Sequence, residues 1–476
     1  MISPLWTGPE ALEAMAARAV GEPPSRIDGV SIDTRTLRPG DLFVALRGEA
    51  RDGHDFVHAA FEKGAAAALV AADRAEDLAG AGPLFVVEDT LHAMEALGRA
   101  ARERSVARII AITGSVGKTG SKEAMRLLLS REGLTHASVA SYNNHWGVPL
   151  TLARMPREAR FGVFEIGMNH SGEIAPLTRM VRPHVAIVTT VEAVHIEHFR
   201  SVSGIADAKG EIFLGLEPGG AAVLNSDNPH FERLKAHALA SNAGRVVSFG
   251  EGEGADVRAE RIILRQDMTI VDARVFGESL TYRIGMIGRH VAINSLGLIA
   301  AVKALGLDLA VAALALGDMT PPTGRGARES LAYGAGSITL VDETYNANPA
   351  SVRAALETLG QTEIGFRGRR VAVLGDMLEL GDDGPRLHAE LAASVMANGV
   401  DLVFGAGPLM KNLISALPPE RRGGYAKAAD ALEPAVVSAL RPGDVVMVKG
   451  SRGVRMETVI AAVRRRASVS RGRQEG

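Results

Sequence analysis

Short apolar runs alternate with longer stretches of helical periodicity along most of the chain, and this alternation predicts an α/β fold built on parallel sheets. Strands are predicted at Ile109–Thr113, Phe161–Ile166, Val185–Thr190 and Ala221–Asn225, and again at Ser337–Val341, Val371–Leu374, Leu402–Phe404 and Val445–Val448. A helical pattern from Lys118 to about Ser130 puts Ala124, Met125, Leu128 and Leu129 on one face. Another begins near Arg289 or His290 and turns Ala292, Leu296, Ile299 and Ala300 inward. The stretch Ile262–Val275, followed by Ser279–Ile284 with Gly277 at the turn, predicts an antiparallel insertion. There is no repeat of fixed period.

Two punctuation points divide the pattern. Gly82-Pro83 reads as a linker, and the adjacent prolines of 319–325 (MTPPTGR) cannot continue a helix. The expected domains are therefore 1–83, 84–318 and 319–476. This fits a chain of 476 residues at about 150 residues per domain.

Composition narrows the classes. A net charge of −2 gives no broad field toward nucleic acid or anionic membrane. The absence of cysteine rules out disulfides and thiolate metal sites and fits a reducing compartment. No run approaches the roughly 18 apolar residues of a membrane helix. The N-terminus lacks a basic region followed by an apolar stretch, so no secretory signal is expected. The expectation is a cytoplasmic protein without membrane insertion. The arginines near the C-terminus (RRRASVSRGRQEG) read as a solvated, fraying end.

The candidate chemistry starts after the strand Ile109–Thr113. A glycine loop and then a helix follow it, a unit that aims backbone N–H groups and the positive end of the helix dipole at one point. Thr113, Gly114, Ser115, Val116, Gly117, Lys118 and Thr119 thus form a candidate cradle for nucleotide phosphate. Lys118 would reach the terminal phosphates, and the Thr119 hydroxyl would meet Mg²⁺. The common pattern G-x-x-x-x-G-K-[ST] asks for glycine where Ile112 stands. The first glycine is Gly114, so this loop is two residues shorter.

Further candidates follow from position. Glu165 ends an apolar run, near the sheet edge where ligands collect; it is either a cation ligand beside Thr119 or half of a structural ion pair. Arg325, just after the second linker, either reaches the phosphates on domain closure or makes an interdomain salt bridge. Asn348 and Pro349 read as the N-cap and first residue of a helix. That leaves Asp342, Tyr345 and Asn346, clustered at a strand end, without a structural role. Glu192-x-x-His195 could be half of a di-iron motif, but the second half is missing, and a lone histidine is usually structural. Asn294 is a poor residue for a helix interior and so faces solvent or has a task.

TGSVGKT and EIGMNHSGEI resemble the Mur ligase family, which shares the shorter loop. The resemblance spans nearly the whole chain in the family's domain order. It implies a central P-loop parallel-sheet ATPase domain, flanked by a smaller N-terminal α/β domain and a C-terminal Rossmann-like α/β domain. It also implies ATP and Mg²⁺, with Thr119, Glu165, His195 and Lys209 at the metal and Lys209 as a carbamate; an unmodified surface lysine is the alternative. Many relatives carry asparagine where Glu192 stands. His290 and Asn294 match a segment that meets the nucleotide base.

The flanking blocks resemble one branch of the family. SIDTRTLRPGDLFVAL is similar to a uridine-nucleotide-binding domain, which implies that Ser31, Thr34 and Arg35 meet a uridine diphosphate. Asn143 and Asn144 match a loop near sugar and nucleotide, although asparagine pairs also form turns. YNANP, LGDMLELG and VKGSRGVRME resemble the ligases that join D-alanyl-D-alanine to UDP-N-acetylmuramoyl-tripeptide in peptidoglycan precursor synthesis. This implies Asn348, Lys449, Ser451 and Arg452 as substrate contacts, and Asp342, Tyr345 and Asn346 at the nucleotide. The implied catalytic set is Lys118, Glu165, His195, Lys209 and Arg325, acting in a monomer through an acyl phosphate. Folylpolyglutamate synthase shares the central engine, but the N-terminal block and YNANP argue against it. A nucleotide-driven switch would not need a nucleotide-sugar domain.

Overall fold

Three sheets follow one another along the chain, each covered by helices. The structure, a computed structural model, describes residues 3–472 except 140, 195 and 200. Among these, no helix is long and apolar enough to cross a membrane.

The first sheet has five strands, in the order Arg18–Val20, Leu84–Val87, Ala67–Ala71, Asp41–Val44 and Gly29–Ser31. Only the Arg18–Val20 pairing is antiparallel. Leu84–Val87 lies inside this sheet, between Arg18–Val20 and Ala67–Ala71, which corrects the boundary expected at Gly82-Pro83. The Gly-Pro pair marks a turn into the sheet's last strand. A local turn signal cannot tell a loop within a sheet from a loop between two.

The central sheet has nine strands. Arg108–Thr113 is flanked by Phe161–Glu165 and Val185–Val188, both parallel to it, with Ile112 opposite Glu165 and Thr113 opposite Val188. Three carboxyl ends therefore finish side by side, and neighbours on both sides of Arg108–Thr113 open a crevice there. The helix Lys118–Ser130 packs Ala124, Met125, Leu128 and Leu129 into the core under this edge, each at most 2% exposed. Cutting Leu128 to alanine would cost about 2–5 kcal/mol. The helix Arg289–Ala304 lies on the same face and buries Ala292, Leu296, Ile299 and Ala300.

The stretch expected as an insertion is instead the far end of this sheet. Val257–Leu264 pairs parallel with Ala243–Gly250, and Thr269–Val275 and Glu278–Ile284 follow antiparallel. The run Ile262–Val275 is not continuous: Arg265 N–H donates to Met268 O at 2.9 Å, closing a turn within it. Gly277 sits at the second turn with φ +89°.

The third sheet orders Ala327–Tyr333, Gly336–Glu343, Val445–Lys449, Arg370–Gly375, Leu402–Ala406 and Arg422–Ala426. The first pair is a hairpin and the other pairings are parallel. Asn348 caps Pro349–Gln361 through a reciprocal pair of bonds with Ser351. That cap turns the chain so that residues 343–346 project toward the central sheet.

Candidate functional site

The carboxyl edge of the central sheet and the start of the third sheet enclose a cavity of about 360 Å³. Its floor is the glycine loop. Gly117 has φ +90°, and a Cβ there would lie 2.4 Å from Asn294 Nδ2; at Gly114, φ +151°, a Cβ would lie 1.9 Å from Thr189 Oγ1. Both positions exclude any side chain, and at Gly117 this leaves backbone facing the cavity. Neighbouring chain holds the loop down. Ser115 N–H donates to Thr190 O, its hydroxyl bonds both Glu192 O and Glu192 N–H, and Thr189 Oγ1 donates to Val116 O at 2.6 Å. Gly117 offers the helix no side-chain cap, which leaves the first-turn N–H groups facing the cavity.

Charge gathers around this floor. Lys118 Nζ donates to Gly114 O at 2.7 Å. Burial holds its ammonium below the ordinary lysine range, Glu165 pulls it back up, and Arg325 adds to the lowering. Lys209, 3% exposed, is held well below that range by burial and then by Lys118. Glu165 is 1% exposed; Oε1 accepts from Asn143 Nδ2 at 2.7 Å, while Oε2 has no hydrogen-bond partner among the described residues. Ser121 Oγ, on the cavity wall, is likewise buried and unpartnered there. From the link that leads into the third sheet, Arg325 stacks 4.0 Å over the Tyr345 ring and donates to Thr119 Oγ1 at 3.1 Å.

The donor set fits a phosphate-bound Mg²⁺. That ion keeps several waters and takes one or two carboxylates plus phosphate oxygens rather than a full protein cage. A buried Glu165 oxygen without a partner, beside the Thr119 hydroxyl and a bare backbone cradle, matches this. No group of three histidine, aspartate or glutamate side chains poised for a metal occurs among the described residues.

A second cavity, of about 740 Å³, opens on the first sheet and includes Thr34, Arg35, Arg47 and Arg51. Residues 141–146 divide the two cavities. Ser141 and Asn143 face the glycine loop, while Tyr142, His145 and Trp146 face the second cavity.

The remaining candidates separate by placement. His290, Asn294, Tyr345, Asn346, Asn348 and Lys449 line the first cavity with the loop residues. Lys449 Nζ donates to Asn346 O at 2.9 Å and pairs with Glu343 at 3.2 Å. Thr113 is buried beneath the loop. Other side chains are engaged locally. Asp342 accepts from Thr344, Asn144 accepts from Gly147 N–H, and Ser31 bonds residue 33. Ser451 joins Ala347 O to Leu378 N–H, and Arg452 is exposed. His195 lies outside the described residues. Ser121 and Ser141 escaped the sequence reading. Ser121, in the first turn after Lys118-Thr119, was open to detection from its helical phase. Ser141 was not, because its partner lies 204 positions away.

A glycine loop between a strand and a helix at the carboxyl edge of the central sheet, met by an arginine from the link into the next sheet, defines a P-loop α/β protein. Three family models match in succession. The Mur ligase family catalytic domain covers residues 26–107, the Mur ligase middle domain 112–302, and the Mur ligase glutamate ligase domain 328–452. The chain belongs to the Mur ligase family. It is 34% identical to the UDP-N-acetylmuramoyl-tripeptide--D-alanyl-D-alanine ligase of Escherichia coli over 437 residues, 92% of this chain and 94% of that one. The ligase of the same name from Rickettsia prowazekii is 30% identical over 431 residues, 90% of this chain and 94% of that one. Among solved structures, MurF from Acinetobacter baumannii superimposes with a TM-score of 0.85 at 29% identity, covering 97% of this chain and 99% of that one. MurF ligase from Thermotoga maritima in complex with ADP gives 0.76 at 26% identity, covering 93% and 98%.

Proposed function

We propose that this chain is an ATP-dependent ligase that joins D-alanyl-D-alanine to UDP-N-acetylmuramoyl-tripeptide in peptidoglycan precursor synthesis. The observation that carries the reading is the wall 141–146, with a phosphate cradle on one side and an arginine-bearing cavity on the other. A long acceptor anchored by its nucleotide beside Thr34 and Arg35 can pass this wall and bring its terminal carboxylate to the cradle. The relatives carrying that name match nearly end to end, which supports the same substrates here.

In the proposed reaction the acceptor carboxylate attacks the γ-phosphorus of ATP, and ADP leaves. The amine of D-alanyl-D-alanine then attacks the acyl carbon, loses a proton and expels phosphate. A carboxylate approaching a triphosphate meets like charge, so Lys118 and Arg325 supply the opposing cations. Thr119, Glu165, Lys209 and His195 are the proposed Mg²⁺ holders; bound Mg²⁺ neutralises phosphate oxygens as a Lewis acid. Lys209 is read as a carbamate. That form replaces one of two crowded buried ammonium groups with an anion suited to a cation. ¹³C NMR with labelled bicarbonate tests it: no carbamyl resonance that Lys209→Ala abolishes would remove Lys209 from the metal set. Arg325 stacked on Tyr345 closes the site, and the closed wall excludes water that would hydrolyse the acyl phosphate. His290 and Asn294 are assigned to the base, Lys449 and Asn346 to the nucleotide or dipeptide side.

The three sheets are read as three domains, divided between Val87 and Arg108 and again within 319–326. The ligase is taken to be a cytoplasmic monomer; sedimentation at micromolar concentration tests the latter. The decisive assay is phosphate release from ATP with UDP-N-acetylmuramoyl-tripeptide, with and without D-alanyl-D-alanine. Release should require both and should vanish in Lys118→Ala. Release indifferent to both substrates would replace the ligase with a nucleotide switch.

A further inference from the structure

Lys122, a charged side chain close to the glycine loop, does not line the cavity above it. Lys122 stands one helical turn after Lys118, on the same face of the helix Lys118–Ser130. It is fully buried. A buried ammonium is costly unless well paired, and an apolar side chain of similar size would fill the space with less penalty. The bonds it makes account for its charge. Nζ donates to Ser138 O at 2.7 Å and pairs with Glu123 Oε1 at 2.6 Å.

Ser138 is a junction. It follows the edge strand Thr135–Ala137 and opens the segment that delivers Ser141 and Asn143 to the cavity. Its N–H donates to Val163 O, and its Oγ accepts from Glu165 N–H at 3.4 Å. Asn143, farther along the same segment, holds Glu165 Oε1. Besides its pairing with Ile112 in the sheet, Glu165 thus takes two contacts, one to its backbone and one to its carboxylate, from a segment anchored on Lys122. The helix that carries Lys118 and Thr119 is tied through that anchor to the strand end that carries Glu165.

We infer that Lys122 is a positioning residue, which fixes Glu165 relative to Thr119 so that the two can share one divalent cation. The inference rests on the cation reading of Glu165. Partners that orient metal ligands typically govern affinity by about 10–100-fold. Lys122→Met keeps length and apolar volume but loses the donor.

The test is binding of Mn²⁺ with adenylyl imidodiphosphate, followed by electron paramagnetic resonance without turnover, alongside thermal unfolding of the ligand-free protein. Lys122→Met should weaken Mn²⁺ binding roughly 10-fold or more, and Ser138→Ala should weaken it in the same direction. Wild-type Mn²⁺ affinity in Lys122→Met, with only a lower unfolding temperature, would overturn the inference and leave Lys122 a core residue. If that variant does not fold, Lys122→Gln, which stays polar but is one atom too short to reach Ser138 O, decides in its place, and wild-type affinity there overturns the inference. Glu165→Gln is the control. Loss of Mn²⁺ binding there, with Lys122→Met unaffected, rejects the positioning role and keeps the cation reading. Unchanged binding in Glu165→Gln rejects both.

Discussion

The Tyr345 phenol and the Ser141 hydroxyl lie 2.5 Å apart and join the third sheet to the wall between the two cavities. The same Tyr345 ring carries the Arg325 guanidinium on its face. One hydrogen bond therefore orients the platform from which Arg325 reaches Thr119. Such a bond is worth about 1 kcal/mol, or roughly fivefold in rate. Tyr345→Phe keeps the ring and Ser141→Ala keeps the backbone, so each should lower kcat about fivefold. The double variant should be no worse than either single one, because both remove the same bond. Additive losses in a steady-state double-mutant cycle would mean that the two hydroxyls act separately.

Arg325 should matter more to turnover than to nucleotide affinity. Its contact with Thr119 comes from the link into the third sheet, so it serves charge that develops once the site is assembled. Arg325→Ala should lower kcat by about 10²–10³-fold, the usual cost of one preorganised donor, while ATP affinity by calorimetry falls much less. Arg325→Lys should recover little, since a lysine cannot both stack on Tyr345 and donate in a planar fork. Equal losses in kcat and affinity would make Arg325 a plain ATP ligand.

What the sequence disclosed depended on how local each feature was. The loop and its helix were legible because strand, glycines and helical phase lie within about two dozen residues, and Lys118–Ser130 forms as expected. The Asn348 cap was legible for the same reason. Glu165 was placed at a strand end by pattern, but the partnerless Oε2 that suits it to a cation required the fold. Ser141 and Lys122 had no local signature. Ser141 acts through Tyr345, and Lys122 occupies a charged position on a helix face that periodicity marks as neither core nor site. The Leu84 strand went to the wrong block because sheet membership is a long-range pairing that no turn residue encodes.

Gly117 is predicted to tolerate no side chain, for two separable reasons. A Cβ would meet Asn294 Nδ2 at 2.4 Å, and φ of +90° disfavours any L side chain. Gly117→Ala should therefore abolish detectable ATP binding. Adding Asn294→Ala frees the space but not the backbone, whose strain remains at about 1–2 kcal/mol. The double variant should stay defective in nucleotide binding. Full recovery would show that crowding by Asn294 was the whole constraint.

His388 sets an acid limit on the third sheet. The ring is fully buried; Nδ1 donates to Gly384 O at 2.6 Å, and Nε2 accepts from Met377 N–H at 2.9 Å. A proton on Nε2 would break the second bond inside a buried site. Burial accordingly holds the imidazole below its ordinary value near 6.5, against smaller opposing effects from Gly384 and Asp376. Unfolding releases this constraint, so below about pH 6.5 the unfolded chain binds a proton that the folded one resists. The His388 contribution is thus fully present above that pH and is lost as pH falls through the folded-state value. Glutamine can accept from Met377 without titrating in this range. Urea unfolding at pH 7.5 and 5.5 should therefore show a larger acid loss in the wild type than in His388→Gln. Identical losses would place the acid sensitivity in other groups.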